Sequence, residues 1–400
     1  MDMKRNRWLL PEGIEEVLPP DATQLDALCR AFVDQFRSWG YELVMPPLIE
    51  YLESLLTGTG EDLELQTFKI TDQLTGRMMG IRADTTPQVA RIDAHFLKRE
   101  TPARLCYLGT VLHTRPTGPG GTRAPLQVGA ELYGHAGRES DAEILALMLR
   151  TLETAGIANV HVDLGHVGIY RGLVRRLELN AEQESTLFQS LQKKSRAELE
   201  EEIGSWSLPA GAAAMLLALV DLHGGPSVLA EARSTLRQAG PDVIACIDEL
   251  EQTAALAARQ VRTAPLYFDL SELRGYRYYT GVTYAAFSNA QGQGIAFGGR
   301  YDDIGRAFGR ARPATGFSSD VKLLYATAGA IAPPRRAVFA PSSEVPGLYE
   351  AVEALRKQGE IVISALPGQS GDARAMGCDR ELVLEGGRWT VRALGGRTQA

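Results

Sequence analysis

The sequence predicts an α+β fold with a long antiparallel hairpin, a block of helices and a small α/β unit at the C-terminus. Two strand-like runs, 105–112 and 126–133, flank a loop rich in proline and glycine, which is typical of a hairpin. Leucines recur at helical spacing through residues 166–260, with glycines and prolines at the turns. After residue 335, short apolar runs surround one helical segment, which indicates a βαβ-like unit.

Composition narrows the class of function. The 400 residues include 44% hydrophobic and 23% charged residues, which is ordinary for a soluble globular protein. The formal net charge of -7 argues against a broad nucleic-acid-binding surface, because such a surface needs clustered Lys and Arg to neutralise phosphates. We therefore expect no broad nucleic-acid interface; the net charge does not argue against local basic patches.

The cysteines and the N-terminus indicate the compartment. Cys29, Cys106, Cys246 and Cys378 lie far apart without a CxxC spacing, and the histidines show no HExxH spacing, so we expect a reducing environment and no metal site. No apolar segment follows the basic residues of the first seven positions, which predicts no signal peptide. The longest apolar run is too short to span a bilayer. These patterns predict a cytoplasmic protein.

The first helix is expected over residues 21–39. Asp21 and Gln24 are spaced as a capping box. The apolar residues that follow at helical spacing are Leu25, Leu28, Phe32, Phe36 and Trp39. Gly40 suits the end of this helix, and a strand over 41–50 should run into a proline turn.

Two further strands, 65–70 and 77–81, are expected before the next helix. Pro87 is placed to start that helix, because proline is favoured in a first helical turn. Its apolar stripe consists of Val89, Ile92 and Phe96. Asp84 can cap the same helix.

The hairpin carries polar side chains at alternate positions of its second strand. Gln127, Gly129 and Glu131 share one face, because strand side chains alternate between faces. A surface hairpin with a polar outer face is one interpretation of this pattern. A helix over 140–155 and a strand over 159–163 should follow, before the helical block, whose apolar residues are expected to form its own core.

The remainder of the chain predicts strands and a compact tail. A strand at 266–270 precedes the polar and aromatic segment 272–281. Gly292 and Gly294 lack the third glycine and the helix of a dinucleotide-binding loop. The predicted elements of the tail are a linker at 332–336, a strand at 337–339, a helix at 344–358, a strand at 361–366, and a hairpin of 380–384 and 389–392 around Gly386 and Gly387.

Several of these segments resemble class II aminoacyl-tRNA synthetases, in particular histidyl-tRNA synthetases. The hairpin is similar to motif 2 from Tyr107-Leu108-Gly109 through Arg123 to Gln127-Val128-Gly129-Ala130-Glu131. Arg274-Gly275 and Tyr278-Tyr279-Thr280-Gly281 resemble the histidine-binding motif of that family. Residues 297–302 and 314–317 are similar to further stretches, and 314–317 would open motif 3. The helix, strand and proline of 21–47 resemble motif 1, which implies dimerisation.

The resemblance implies a fold and a pocket. The fold would be a class II synthetase-like antiparallel sheet flanked by helices over residues 1–330, with the insertion 166–260 within it and a small domain at 335–400. The residues implied for histidine binding are Asp84, Gln127, Glu131, Arg274, Tyr279 and Tyr301. Asp84 would take the ammonium group, in addition to or instead of capping its helix, and Gln127 and Arg274 would take the carboxylate. Glu131 and Tyr279 would address the imidazole.

The sequence departs from a synthetase where ATP would bind. His113 stands at the position of the arginine that holds the α-phosphate, and Leu323 at that of the motif 3 arginine. Losing one preorganised charged donor typically costs roughly 3–4 kcal/mol in the transition state. Asp320 and Arg277 replace a glycine and an aspartate of the family, and the tail is shorter than an anticodon-binding domain. We therefore expect a chain that binds its ligand and catalyses nothing alone.

Along nearly its whole length the chain resembles the regulatory subunits of ATP phosphoribosyltransferase, which are related to histidyl-tRNA synthetases. The resemblance implies a role in the first step of L-histidine biosynthesis, activation of a short catalytic subunit in a hetero-octamer, and feedback inhibition by histidine. It also implies a self-dimer and no cofactor, tRNA or membrane. The alternatives are a divergent ATP-dependent amino-acid ligase and a tRNA-binding synthetase fragment.

Overall fold

The computed structural model describes residues 8–58, 61–116, 118, 121–209, 211–261, 265–288, 294–329 and 336–394. The chain divides into two compact units, residues 1–330 and 331–400. The basic start of the chain, Gly292 and all of the expected linker except Arg336 lie outside the described residues. No helix in the described part of the chain is long and apolar enough to cross a membrane.

The larger unit mixes helices and strands throughout. Its described helices are α1 (Asp21–Ser38), α2 (Leu52–Leu55), α3 (Glu61–Gln66), α4 (Thr86–Arg91), α5 (Arg138–Thr154), α6 (Val167–Arg176), α7 (Ala181–Lys193), α8 (Arg196–Gly204), α9 (Ala212–Asp221), α10 (Ser227–Thr235), α11 (Pro241–Gln260) and α12 (Val321–Ala328). Its described strands are β1 (Glu42–Leu43), β2 (Ile49–Tyr51), β3 (Phe68–Thr71), β4 (Met78–Ile81), β5 (Ala103–Thr110), β6 (Leu126–Tyr133), β7 (Val160–His166), β8 (His223–Gly224), β9 (Leu266–Asp269), β10 (Val282–Ser288), β11 (Gly294–Arg300) and β12 (Ala314–Asp320).

A nine-stranded sheet organises this unit, in the order β1-β5-β6-β12-β11-β10-β7-β9-β8. Among the described strand pairs of this sheet, only β1 with β5 and β7 with β9 are parallel. The hairpin β5–β6 pairs from Ala103 opposite Tyr133 to Thr110 opposite Leu126. Helices α1 and α5 pack on this sheet and on each other. The expected antiparallel sheet flanked by helices is confirmed.

The core is continuous from the sheet into the helical block. Phe36 of α1 meets Phe317 of β12 edge-on, with ring centroids 6.0 Å apart. The leucines of the helical block that belong to the same buried cluster are Leu173, Leu187, Leu191, Leu199, Leu216, Leu219, Leu229 and Leu236. The helices were correctly expected, but their core is shared with the sheet, because α11 packs against both α5 and α6.

Several local expectations were wrong. Pro20 precedes α1, and no side chain caps this helix; the Tyr325 hydroxyl instead lies 2.9 Å from Asp21 Oδ1 and 3.2 Å from Gln24 Oε1. The strand expected at 65–70 starts at Phe68, because Leu65 and Gln66 end α3. The strand expected at 41–50 is reduced to β1 and the start of β2, since prolines between them lack the N–H that a ladder needs.

The stripe expected on the helix after Pro87 is also incomplete. Val89 is buried, whereas Phe96 is 63% exposed. The reason is that α4 continues as a π-helical segment, Ile92–Leu97, which changes the angle between successive side chains.

The smaller unit is a βαβ piece closed by a hairpin. Its elements are β13 (Ala337–Ala340), α13 (Leu348–Lys357), β14 (Ile361–Ser364), β15 (Arg380–Glu385) and β16 (Arg388–Ala393). The strand order is β14-β13-β15-β16, and only the β15–β16 pair is antiparallel among those described. Gly386 and Gly387 form the turn of this hairpin with φ of 56° and 78°, a conformation that glycine adopts readily.

Candidate functional site

A cavity of about 610 Å³ opens on the face of the nine-stranded sheet. Its walls come from β6, β11, β12, the start of α4 and the segment 274–279. Five of the six residues expected to bind histidine line it: Asp84, Glu131, Arg274, Tyr279 and Tyr301. Strand register explains part of this convergence, because Gly316 of β12 lies opposite Glu131 of β6. A Cβ at Gly316 would overlap the Glu131 carboxylate, so only glycine leaves room for this side chain.

Glu131 lies at the inner end of the cavity. It is 1% exposed. Its Oε1 accepts hydrogen bonds from the Thr86 and Tyr107 hydroxyls, each at 3.1 Å, and its Oε2 accepts one from the Tyr301 hydroxyl. Burial raises the pKa of the Glu131 carboxyl to about 8, against the opposing effect of the Tyr301 hydrogen bond. A cation placed here would favour the ionised carboxylate.

Asp84 provides a second carboxylate at this end, and it also bonds the start of α4. Its Oδ1 accepts from the backbone N–H of Thr86 at 3.1 Å and from Gln127 Nε2 at 2.8 Å. Gln127 Oε1 accepts in turn from the backbone N–H of Thr85 at 2.9 Å. Gln127 therefore contacts Asp84 and does not line the cavity, so the geometry gives it a role in orienting that carboxylate.

Arg274 supplies positive charge at the outer end. Its guanidinium carbon lies 4.6 Å from the centre of the Phe297 ring and 5.8 Å from that of Phe287. The side chain is exposed, so it can leave these rings for an anionic group. Tyr279 packs beside Gly275, whose φ of +65° and closeness to the Tyr279 ring, 2.7 Å from a hypothetical Cβ, both require glycine.

Two aromatic rings and a buried ion pair fix the opposite wall. The Tyr278 and Tyr301 rings stack with centroids 4.9 Å apart. The neighbouring Arg300 is buried, and its Nε and Nη2 donate to Asp141 Oδ2 of α5 at 3.0 and 2.9 Å. This pair attaches the segment that carries Tyr301 to the core helix, so the Tyr301 hydroxyl is held against Glu131.

The sequence alone did not single out several lining residues. Thr86 and Tyr107 donate to Glu131, and Phe188 of α7 lines the cavity. Thr86 lies in the Asp-Thr-Thr-Pro sequence at the start of α4, where a hydroxyl beside a candidate acid was a usable signal. Phe188 comes from the insertion, and nothing in its local sequence points to the cavity.

The positions expected to have lost ATP binding are not among the residues that line the cavity. His113 Nε2 is 2.9 Å from the backbone oxygen of Ala83. Arg123 of the same hairpin donates from Nε to the oxygen of His113 and from Nη1 to that of Glu12, at 3.1 and 3.2 Å. Leu323 packs against the hydrophobic core. His113 and Arg123 are thus engaged with backbone oxygens, and the apolar Leu323 supplies no cation.

Asp320, which replaces a glycine of the synthetases, has a structural role. Its Oδ1 accepts from the backbone N–H groups of Leu126 and Lys322, each at 3.0 Å, and so starts α12 and holds the end of the hairpin. Among the described residues no group of three or more His, Cys, Asp or Glu side chains could hold a metal ion. The four cysteines are all described and none forms a disulfide.

Two family models match the chain. Residues 13–324 match the family model described as histidyl-tRNA synthetase, and residues 335–392 match that of the ATP phosphoribosyltransferase subunit HisZ C-terminal domain. The ATP phosphoribosyltransferase regulatory subunit of Thioalkalivibrio sulfidiphilus is 56% identical over 391 residues, covering 97% of this chain and 99% of that protein.

Solved structures share the fold. The crystal structure of an ATP phosphoribosyltransferase regulatory subunit/histidyl-tRNA synthetase from Bacillus halodurans C has a TM-score of 0.82 at 28% identity, covering 92% of this chain and 96% of that chain. The ATP phosphoribosyl transferase (HisG:HisZ) complex from Thermotoga maritima has a TM-score of 0.59 at 17% identity, covering 76% and 98%. The latter likeness concerns the fold alone.

Proposed function

The chain belongs to the family of ATP phosphoribosyltransferase regulatory subunits, and we propose that it binds free L-histidine in the cavity and thereby regulates a short-form catalytic subunit. Relatives named ATP phosphoribosyltransferase regulatory subunit align with this chain over nearly their whole length. Within this proposal the chain activates its partner and, when histidine is bound, inhibits it as feedback on histidine biosynthesis.

One observation carries the proposal: two carboxylates lie at one end of a single cavity and an arginine at the other. Asp84 and Glu131 suit the ammonium and imidazole groups of histidine, and Arg274 suits its carboxylate. The hydroxyls of Tyr279 and Tyr301 add hydrogen-bonding groups for the ring. Gln127 contributes by orienting Asp84.

The nucleotide side of the cleft favours a binding role over a ligase. Adenylation needs cations around a triphosphate, and the hairpin and motif 3 positions offer a histidine that faces a backbone oxygen and a leucine that packs in the core. A ligase would catalyse pyrophosphate exchange with ATP and an amino acid. We expect none from the purified chain.

We further propose a self-dimer that joins catalytic subunits in a hetero-octamer in the cytoplasm. Apolar side chains are exposed at and beyond the edge strand β1, among them Leu43, Met45, Leu48 and Ile49, and Met45 is 82% exposed. Such a patch suits an interface between proteins. Regulation then requires histidine to bind two states of the assembly with different affinities, because equal affinities would not shift the equilibrium between them.

Calorimetry with histidine tests the pocket. Wild type should release or absorb heat with a single class of sites, and Arg274→Ala should bind roughly 10- to 100-fold more weakly, because a charge-assisted hydrogen bond contributes about 1.5–3 kcal/mol. Histidinol, which lacks the carboxylate, is the matched ligand: Arg274→Ala should leave its affinity unchanged. No heat from wild type with histidine refutes the proposal.

A further inference from the structure

Tyr276 lines the cavity and is also held by the helical insertion. Its hydroxyl donates to Glu184 Oε1 of α7. Its ring meets Tyr170 of α6 edge-on, with centroids 4.9 Å apart, and lies 5.6 Å from the ring of Phe188. Tyr276, which lies between Arg274 and Arg277 in the segment 274–279, is therefore anchored on α6 and α7.

The backbone of Tyr276 is held by the same helices. Arg171 Nη2 of α6 donates to the Tyr276 carbonyl oxygen at 2.7 Å, and its guanidinium lies 5.0 Å from the centre of the Tyr276 ring. The Tyr170 hydroxyl donates to the backbone oxygen of Glu184 at 2.7 Å and so fixes the residue that accepts from Tyr276. We call Tyr276, Glu184, Arg171 and Tyr170 the latch.

A tight turn links the latch to the residues that face the ligand. The N–H groups of Tyr278 and Tyr279 both donate to the oxygen of Gly275, at 2.7 and 2.9 Å, and that of Tyr276 donates to Leu273 at 2.9 Å. These bonds place Tyr276 and Tyr279 in one turn, so a shift of the Tyr276 backbone changes the position from which Tyr279 projects. Phe188 packs against Tyr276 and also lines the cavity, so the insertion forms part of its wall.

We infer that the latch positions the turn carrying Arg274 and Tyr279, and that the insertion senses through it whether the cavity is occupied. This inference rests on the proposed binding of histidine. By thermodynamic reciprocity, if a closed latch strengthens histidine binding, bound histidine stabilises the closed latch by the same factor. Tyr276 is thus a positioning residue that couples the pocket to α6 and α7.

The test compares Tyr276→Phe with wild type by calorimetry and by amide hydrogen exchange. Tyr276→Phe keeps the ring and removes the hydroxyl that donates to Glu184. We expect histidine affinity to fall about ten-fold, which corresponds to about 1.4 kcal/mol. In wild type, histidine should slow exchange of the α6 and α7 amides, and in Tyr276→Phe this slowing should be largely lost. A merely structural residue would not change the histidine-dependent part of the exchange.

Two further variants complete the design. Glu184→Gln keeps an acceptor oxygen and should weaken binding less than Tyr276→Phe. The double variant should bind like Tyr276→Phe alone, since without the tyrosine hydroxyl there is no bond left for residue 184 to accept. Tyr325→Phe is the matched control, because it removes a hydroxyl bonded to Asp21 away from the cavity and should match wild type in both assays.

The outcomes separate the latch from the proposed function. Wild-type affinity together with wild-type protection of α6 and α7 in Tyr276→Phe overturns the latch and leaves histidine binding intact. If wild-type protein shows no heat with histidine, the proposed function fails, and the latch fails with it.

Discussion

Replacing Glu131 by glutamine should change how the stability of the ligand-free protein depends on pH. Glutamine has nearly the same shape and carries no charge at any pH. Its amide oxygen can accept from the hydroxyls on one side, Thr86 and Tyr107, whereas its NH2 group can only donate to the Tyr301 hydroxyl on the other. In the folded protein, burial raises the pKa of Glu131 to about 8, from an ordinary value of 4.5. The folded state therefore holds a proton that the unfolded state releases at much lower pH.

The sign of the effect follows from this difference. Protonated Glu131 contributes its full stability below pH 4.5, and this contribution is lost as the pH rises through about 8. Each pH unit between these values corresponds to about 1.4 kcal/mol, so the loss is on the order of 5 kcal/mol, less whatever relaxation recovers. Glu131→Gln has no such loss. It should cost about 1 kcal/mol near pH 5, through imperfect hydrogen bonding, and stabilise the protein above pH 8.

Urea unfolding of both proteins at intervals from pH 5.5 to 9, without histidine, measures the difference. The free energy of unfolding of Glu131→Gln minus that of wild type should rise with pH and change sign within this range. Tyr325→Phe, which alters no carboxyl group, should give a constant difference from wild type. Parallel curves for Glu131→Gln and wild type would refute the assignment of a buried, protonated Glu131.

Three other substitutions test the packing around the site and the proposed dimer. Gly316→Ala places a Cβ against the Glu131 carboxylate, so histidine binding should fall at least ten-fold in calorimetry, and unaltered binding would contradict the close approach. Asp141→Ala removes the buried carboxylate of Arg300, which keeps only the partly exposed Asp302 at 3.1 Å, and should lower the free energy of unfolding by about 1–3 kcal/mol in urea; a change below about 0.5 kcal/mol would show that the pair is dispensable. Met45→Lys should convert the proposed dimer to monomer in sedimentation, and a stable dimer would place its interface elsewhere.

The sequence predicted those elements whose information is local. The alternating pattern of 126–133 coincides with β6, and the apolar spacing behind Asp21 gives the buried face of α1. The capping box failed because a partner distant in sequence, Tyr325, occupies both side chains. The π-helical segment Ile92–Leu97 carries no comparable periodic pattern, so the exposure of Phe96 could not be expected.

The site residues likewise fall into those that the sequence predicts and those that depend on packing. Asp84, Glu131 and Arg274 could be selected because their motifs resemble a known family, and the structure brings them to one cavity. The hydroxyls that bond Glu131 became apparent only with the register of β5 on β6 and the position of α4. Phe188 and Glu184 belong to an insertion whose sequence reads as ordinary amphipathic helix. Their contact with Tyr276 depends on how α7 packs, which no local pattern encodes.

The inner end of the cavity combines a cost in stability with a gain in binding. Glu131 is buried, which makes its ionisation unfavourable, and the nearby charge of Asp84 raises its pKa further. The ligand-free fold therefore holds two acids at a place where a second negative charge is costly. A ligand with a cationic group relieves this repulsion. The free energy that destabilises the empty protein above neutral pH is then available for binding, and it discriminates against ligands that lack the cation. The Tyr301 hydroxyl is held on Glu131 by a segment anchored through Arg300 and Asp141, which favours a carboxyl that stays in the cavity. Under the proposed function, this wall of the fold would therefore contribute to the selectivity for a cationic ligand.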